Sequence, residues 1–271
     1  MYFPWWNYSK KQQDRILFMN KTIENYRNLR YRKHIYKKHV PSLTCPYCRK
    51  STLQNHNEIR SIETKRSEVR RGEYHLDIGY ETEIYFSGFL SCGLCEEKTA
   101  VIGVGWVECE GEGCENPLLD KTEYFTAYMP KYFYPTVQLF EVPEKTPEAV
   151  KKALNESFSI AWADFSGTAN KLRKTIEQLI CSVAPNLVGN SLHSKIKNLE
   201  AISEYKDISI MLMAIKWLGN KGSHASVELQ EYDIAFAFNV IEKILNNLYV
   251  EKVDFIKISS EINEKRGSLI K

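Results

Sequence analysis

Ile215-Lys-Trp-Leu-Gly-Asn-Lys-Gly-Ser-His224 closes a long apolar run that begins at Ile208. A run of this length, apolar on nearly every side, predicts a central helix over Ile208–Gly219. Gly219 and Gly222 loosen the backbone at its end, and Asn220 and His224 stand four residues apart. If the helix continues, those two side chains share one face; if the glycines stop it, they occupy its last turn and the loop beyond. Both readings put two hydrogen-bonding side chains at the edge of a packed core. The plainest role for them is a helix end with a satisfied histidine.

Working outward, the segment from Thr146 to the C-terminus has helical periodicity throughout. Thr146-Pro147-Glu148 reads as a helix start, with a capping hydroxyl, proline at the first position and an acid near the positive end of the dipole. Val150, Leu154, Phe158, Ala161 and Phe165 form one apolar face. A second helix is expected over 168–183, with Ala169, Leu172, Ile176, Leu179 and Val183 inward and Cys181 as a small core residue. A third follows over 191–202, and a fifth over 229–250 carries Ile234, Phe238, Ile241, Leu245 and Leu248. Residues 251–271 form a mixed tail, helical to about Lys265. Residues 144–271 are thus expected to be an all-α bundle of four to five helices.

Upstream the signal changes. Cys45-Pro-Tyr-Cys48 and Cys92-Gly-Leu-Cys95 are two Cys-x-x-Cys knuckles, each aiming two thiolates at one point. Together they match the four-sulfur shell of a structural Zn²⁺. The residues between them, 59–67 and 74–90, are rich in β-branched and aromatic types, with Arg71-Gly72-Glu73 between as a turn. That pattern predicts a hairpin that brings the distant knuckles together. No βαβ pattern surrounds the first pair, so a redox role has no support. His56 and His75 are expected on the surface or in a strand. Strands continue over 99–107, 124–129 and 132–140, punctuated by Pro130, Pro135 and Pro143. An acidic, Gly-rich loop carries Cys109 and Cys114, which stand as free thiols or as part of a second metal site. Residues 41–143 are therefore expected to be a β-rich, zinc-ribbon-like module, and the chain as a whole an α+β protein.

The first 40 residues differ again. They hold ten Lys or Arg against Asp14 and Glu24, a local charge of +8 within a chain whose net charge is +3. After aromatic residues 1–8, residues 9–39 contain no Pro or Gly and read as a basic helix. Arg27, Arg30, Arg32, Lys33, Lys37 and Lys38, interleaved with Tyr26, Tyr31 and Tyr36, suit nucleic-acid phosphates with stacking rings. The alternative is a solvated helix whose apolar stripe docks on its own chain or a second copy. The chain is 43% apolar and 26% charged, the balance of a folded globular protein, and no window is long and apolar enough for a membrane span. The start lacks a secretory pattern, and paired cysteines suggest metal before disulfide, so a cytoplasmic location is expected.

Thr146-Pro-Glu-Ala-Val150, Asn155-Glu-Ser157, Leu172-Arg-Lys-Thr-Ile-Glu177 and, above all, Leu218-Gly-Asn-Lys-Gly-Ser-His224 resemble the bacterial domain of unknown function 4145 family, placed among HEPN-like helical bundles. Cysteine knuckles ahead of the bundle and a Tyr-Pro pair such as Tyr134-Pro135 are similar to members of that family. The resemblance implies association with prokaryotic defence or restriction systems and a homodimer through the bundle. HEPN ribonucleases use Arg-polar-x-x-x-His without metal. Asn220 and His224 match the last two elements, whereas Gly219 stands in the Arg position. Lys216 lies one turn back and Lys221 points elsewhere, so neither reproduces a bidentate guanidinium.

Three functions follow as expectations. The first is a non-catalytic, zinc-containing module binding DNA, RNA or a protein partner from a defence operon. The second is a ribonuclease with His224 as general acid/base beside Asn220. The third is a purely structural subunit of a larger assembly. Arg173, Glu177, Asn220 and His224 are expected to meet in one interhelical polar cluster, either structural, fixing the helix register, or a remnant pocket for a phosphate or nucleotide.

Overall fold

From Glu83 to Cys92 exposed and buried residues alternate, as they must where one face of a strand packs on a core and the other meets solvent. The computed structural model describes residues 35, 40, 42–56, 58–74, 82–110, 123–222, 229–250 and 255–265. Within them the sheet strands are β1 (Leu53–Gln54), β2 (Arg60–Glu63), β3 (Glu83–Cys92), β4 (Lys98–Glu110) and β5 (Glu123–Tyr134). All pairings are antiparallel. The order is β1-β3-β4-β5, and β2 joins β3 on the same edge as β1, further along the strand. The chain is an α+β protein, as its sequence pattern indicates.

Between β2 and β3 lies α1 (Lys65–Tyr74), a correction to the turn expected at Arg71-Gly72-Glu73. The cause is local capping. The Thr64 hydroxyl accepts the Ser67 N–H at 3.2 Å, and Glu63 takes both the Ser67 hydroxyl and the Arg71 guanidinium. Gly72 sits near the helix end, where its cost is small. Ile35 corrects a second expectation. Its backbone exchanges two hydrogen bonds with Tyr128, at 2.9 and 3.0 Å, so a helix cannot run unbroken through 39. Residues 1–34 lie outside the described residues.

Pro130 was expected to end a strand, yet it lies inside β5. The sheet absorbs it with a register shift at Ile102/Gly103, where β4 faces Pro130. The strand stops at Tyr134, ahead of a cis peptide bond to Pro135, rather than running to Phe140. The connection instead buries Val137, Leu139 and Phe140.

The helical half comprises α2 (Glu148–Ile160), α3 (Phe165–Val183), α4 (Leu192–Glu200), a 3-10 turn (Ser203–Tyr205), α5 (Lys206–Gly222), α6 (Glu231–Tyr249) and α7 (Phe255–Lys265). The inward residues are those of the apolar periodicity: Val150, Leu154, Phe158, Leu172, Ile176, Leu212, Ile215, Phe238 and Ile241 are all buried. Some local details differ. Thr146 is buried without a hydrogen-bond partner for its hydroxyl and does not cap α2; Pro147 holds that position. Phe165 opens α3 rather than extending α2, because Asp164 caps there by accepting the Gly167 N–H at 2.7 Å. Cys181 is exposed, not a core residue. On α5, Ile210 and Trp217 are exposed, so that helix is not buried all round.

Sheet and bundle share one core. The inner sheet face presents Ile84, Phe86, Leu90, Val101 and Phe133. Phe133 meets Trp162 edge-on at 5.0 Å, and Phe140 meets Phe158 at 5.2 Å, which stacks on Phe238 at 5.3 Å. These aromatic contacts lock the first helix of the bundle against the sheet.

Candidate metal centre

Each knuckle is built the same way. Cys45 starts a tight loop in which the Arg49 N–H returns to the Cys45 carbonyl at 3.1 Å; Cys92 does the same with the Glu96 N–H at 3.2 Å. Arg49 and Glu96, each directly after the second cysteine, take positive φ of 56° and 62°. These are the two places where the chain bends into the left-handed region to close the loop. The Leu94 and Cys95 N–H groups point at the Cys92 sulfur at 3.4 and 3.5 Å.

What joins the two loops is β1. Leu53 pairs with Cys92, Gln54 with Ser91, and the Gly93 N–H reaches the Thr52 carbonyl at 3.3 Å. Thus 47 residues of separation collapse into adjacent positions on one sheet edge. Both knuckles lie at the same end of β3, brought together as the sequence pattern predicts.

The four sulfurs converge. Cys45 and Cys95 are 3.7 Å apart, Cys48 and Cys92 are 3.6 Å apart, and all four lie within 4.8 Å of one another. A tetrahedron of thiolates about 2.3 Å from a central Zn²⁺ has edges of about 3.8 Å. The observed separations therefore fit a four-sulfur ion site and are far too long for a disulfide. Without a cation, Cys92 and Cys95 are pushed in opposite directions. The Cys95 backbone N–H, followed by that of Leu94, pulls Cys92 down to about 6 despite burial. The Glu97 N–H favours the Cys95 thiolate, but desolvation and the neighbouring sulfurs outweigh it and push that thiol up to about 12. A divalent ion supplies the positive charge that lets all four ionise together.

Other sequence-derived candidates are placed in part. Both Gly219 and Gly222 lie inside α5, so the helix continues to Gly222. Asn220 is half-buried on it. His224 lies outside the described residues, as do Arg27, Arg30, Arg32, Lys33, Lys37, Lys38, His75 and Cys114. Cys109 is in β4, and its side chain is not among those described. His56 is exposed. Arg173 and Glu177 share α3, but no ion pair joins them, and the Arg173 Nε is buried without a partner. Instead, the Arg173 stem lies on Gly219: a Cβ there would collide with its Cγ and Cδ and press on the Ala169 carbonyl. Glycine at this position lets the Arg173 stem cross α5 where α3 packs on it. Lys216 is 8% exposed with its Nζ 3.4 Å from the Trp217 ring centroid, a cation–π contact that commits it there. The Arg173–Gly219 contact was not visible in sequence, since it depends on which residues of α3 and α5 meet.

Residues 155–269 match the family model of a domain of unknown function (DUF4145), the family the helical region resembles in sequence. The matched segment begins after Thr146–Val150 and runs through α7. Residues 33–133 match a second domain of unknown function (DUF8608), which encloses the Cys₄ centre. No curated protein and no solved structure matches the chain significantly. Among the described residues, no helix is long and apolar enough to cross a membrane.

Proposed function

We propose that this protein is a non-catalytic, zinc-containing interaction protein that binds nucleic acid or a protein partner, and that it serves as an accessory component of a prokaryotic defence or restriction-type system. The observation that carries this is the closed four-sulfur geometry at Cys45, Cys48, Cys92 and Cys95. Four thiolates fill the tetrahedral shell of zinc and leave no position for a substrate, so the ion's contribution is to folding. Gly219 supports the non-catalytic part, because the position that the ribonuclease motif gives to arginine carries no side chain and is crossed by the Arg173 stem. The charge of the first 40 residues supports a polyanionic partner. The defence context rests on the family resemblance, and a homodimer through the bundle belongs to the same reading. The test is a titration of the zinc-loaded chain with DNA and RNA across ionic strength. Binding that weakens steeply with salt supports the reading; no binding to either at low salt removes its nucleic-acid part.

One observation favours a second reading, a metal-independent ribonuclease using His224. Arg173 sends its stem across Gly219, next in sequence to Asn220. In this reading Arg173 steadies the phosphate charge and His224 moves the proton. RNA cleavage in chelator, abolished separately by His224→Ala and Arg173→Gln, supports it; no cleavage of mixed RNA by the purified chain counts against it.

A further inference from the structure

The outer face of the sheet is paved with exposed side chains that ordinary folding would bury. The strand register puts them in rows. Arg60, Ser87, Ile102 and Tyr132 form one row across β2, β3, β4 and β5. Ile62, Tyr85 and Val104 form the next, and Phe89, Ala100 and Tyr134 flank the first on its other side. Tyr85 is 57% exposed, Tyr132 50%, Tyr134 80% and Ile62 70%. Tyr85 and Tyr132 stand two strands and one row apart, about 12 Å, with aliphatic residues between. A shallow groove of about 520 Å³ runs over this surface; Arg60 and Lys131 line it and no carboxylate does. Neither cation makes an ion pair among the described residues. The helix that follows β2 directly, α1, adds Lys65, Arg66, Arg70 and Arg71 against Glu68 and Glu73.

We infer that this face binds single-stranded nucleic acid, with bases stacked on Tyr85 and Tyr132 and phosphates held by Arg60 and Lys131. The inference rests on the nucleic-acid reading above and assigns it a surface separate from the N-terminal arm. Unpaired bases present π-faces that stack on exposed rings, and a sheet with such rings takes successive bases regardless of sequence. Duplexes hide those faces. The absence of carboxylates from the groove favours a polyanion over a protein of mixed charge.

The test is fluorescence anisotropy of the full, zinc-loaded chain with labelled oligouridylate and oligothymidylate of about a dozen nucleotides, and with a duplex, as salt is raised. Tyr85→Ala and Tyr132→Ala each weaken single-strand binding by about 5- to 150-fold. Arg60→Gln with Lys131→Gln reduces the slope of log affinity against log salt by about 1.4. Zinc content and circular dichroism stay at wild-type values, which separates lost binding from lost folding. Tyrosine variants that fold and bind like wild type overturn the inference. If neutralising Arg27, Arg30 and Arg32 abolishes binding while the sheet variants keep it, the face is wrong and the nucleic-acid reading survives. If the wild-type chain binds no oligonucleotide at low salt, that reading fails as well. Duplex preference, or a tyrosine variant that only converts a dimer to a monomer, equally overturns the inference, the latter in favour of a second copy as the occupant.

Discussion

The sheet and the bundle solve the same problem, holding together residues far apart in sequence, by different means. In the bundle each helix carries its own apolar stripe, and burying those stripes against one another is sufficient. Leu172, Ile176, Leu212 and Ile241 are all essentially inaccessible. The sheet half has an inner face that joins this core, but its outer face is left open, with Ile62, Tyr85, Ile102 and Tyr132 exposed. At its β1 edge a two-residue strand and four sulfurs take the place of a second packed layer. A two-residue pairing is too short to stand alone. On the zinc reading proposed above, one half is held by area and the other partly by a metal centre, and the two should fail differently.

The largest contrast comes from the metal. Removing zinc with a chelator, or replacing Cys92 with Ser, should unfold the β1 edge and both knuckles. Structural zinc binding contributes on the order of 10 kcal/mol to such modules, which exceeds what the short strand can replace. Hydrogen exchange should show lost protection around Leu53 and Cys92 while α3 and α5 keep theirs. Cys181→Ser, at an exposed position, should change neither zinc content nor exchange. Loss of protection spread evenly over both halves would erase the distinction.

Next in size is the bundle core. Leu172→Ala should cost about 2–5 kcal/mol in denaturant unfolding, because α3 cannot collapse around the void. Zinc content of the surviving folded protein should be unchanged. Gly219→Ala sharpens the picture further. In an open helix this change stabilises by about 0.5–1 kcal/mol. Here the new Cβ meets the Arg173 stem, so the sign should reverse to a loss of about 1–3 kcal/mol. Adding Arg173→Ala should recover part of that loss; if Gly219→Ala alone raises the melting temperature, the close approach of α3 and α5 is wrong.

The smallest effect is electrostatic. The Arg71 guanidinium, 2.6 Å from Glu63, holds that carboxyl below its usual range, with the Ser67 hydroxyl helping against partial desolvation. A depressed carboxyl stabilises the fold above its unfolded value of about 4.3, and the contribution disappears as pH falls through the folded value. Glu63→Gln should therefore lower stability at pH 7 by no more than about 1 kcal/mol, and the gap to wild type should close in acid. A gap that widens in acid would contradict the assignment.

Much of the bundle was legible because helix periodicity is a local property: Leu154 and Phe158, or Ile234 and Phe238, announce their face within one turn. The knuckles were legible for the same reason, since Cys-x-x-Cys is self-contained. What escaped depends on tertiary placement. The capping of α1 uses Glu63 and Thr64, two side chains that also read as strand. The accommodation of Pro130 needs one extra residue of β5, Lys131, set against the consecutive Ile102 and Gly103 of β4. Alternation in β3 marked two faces but not which one a bundle would cover. Arg173 on Gly219 pairs two helices whose register no single stripe specifies.

Metal analysis of the purified chain, paired with its Co²⁺ form, tests the central claim most directly. One zinc per chain is expected, displaced by Co²⁺ with the intense thiolate charge-transfer absorption of a tetrahedral four-sulfur site, and lost in Cys92→Ser. A chain that folds stably with no zinc, or a Cys92→Ser variant that keeps both the ion and its sheet protection, would contradict it.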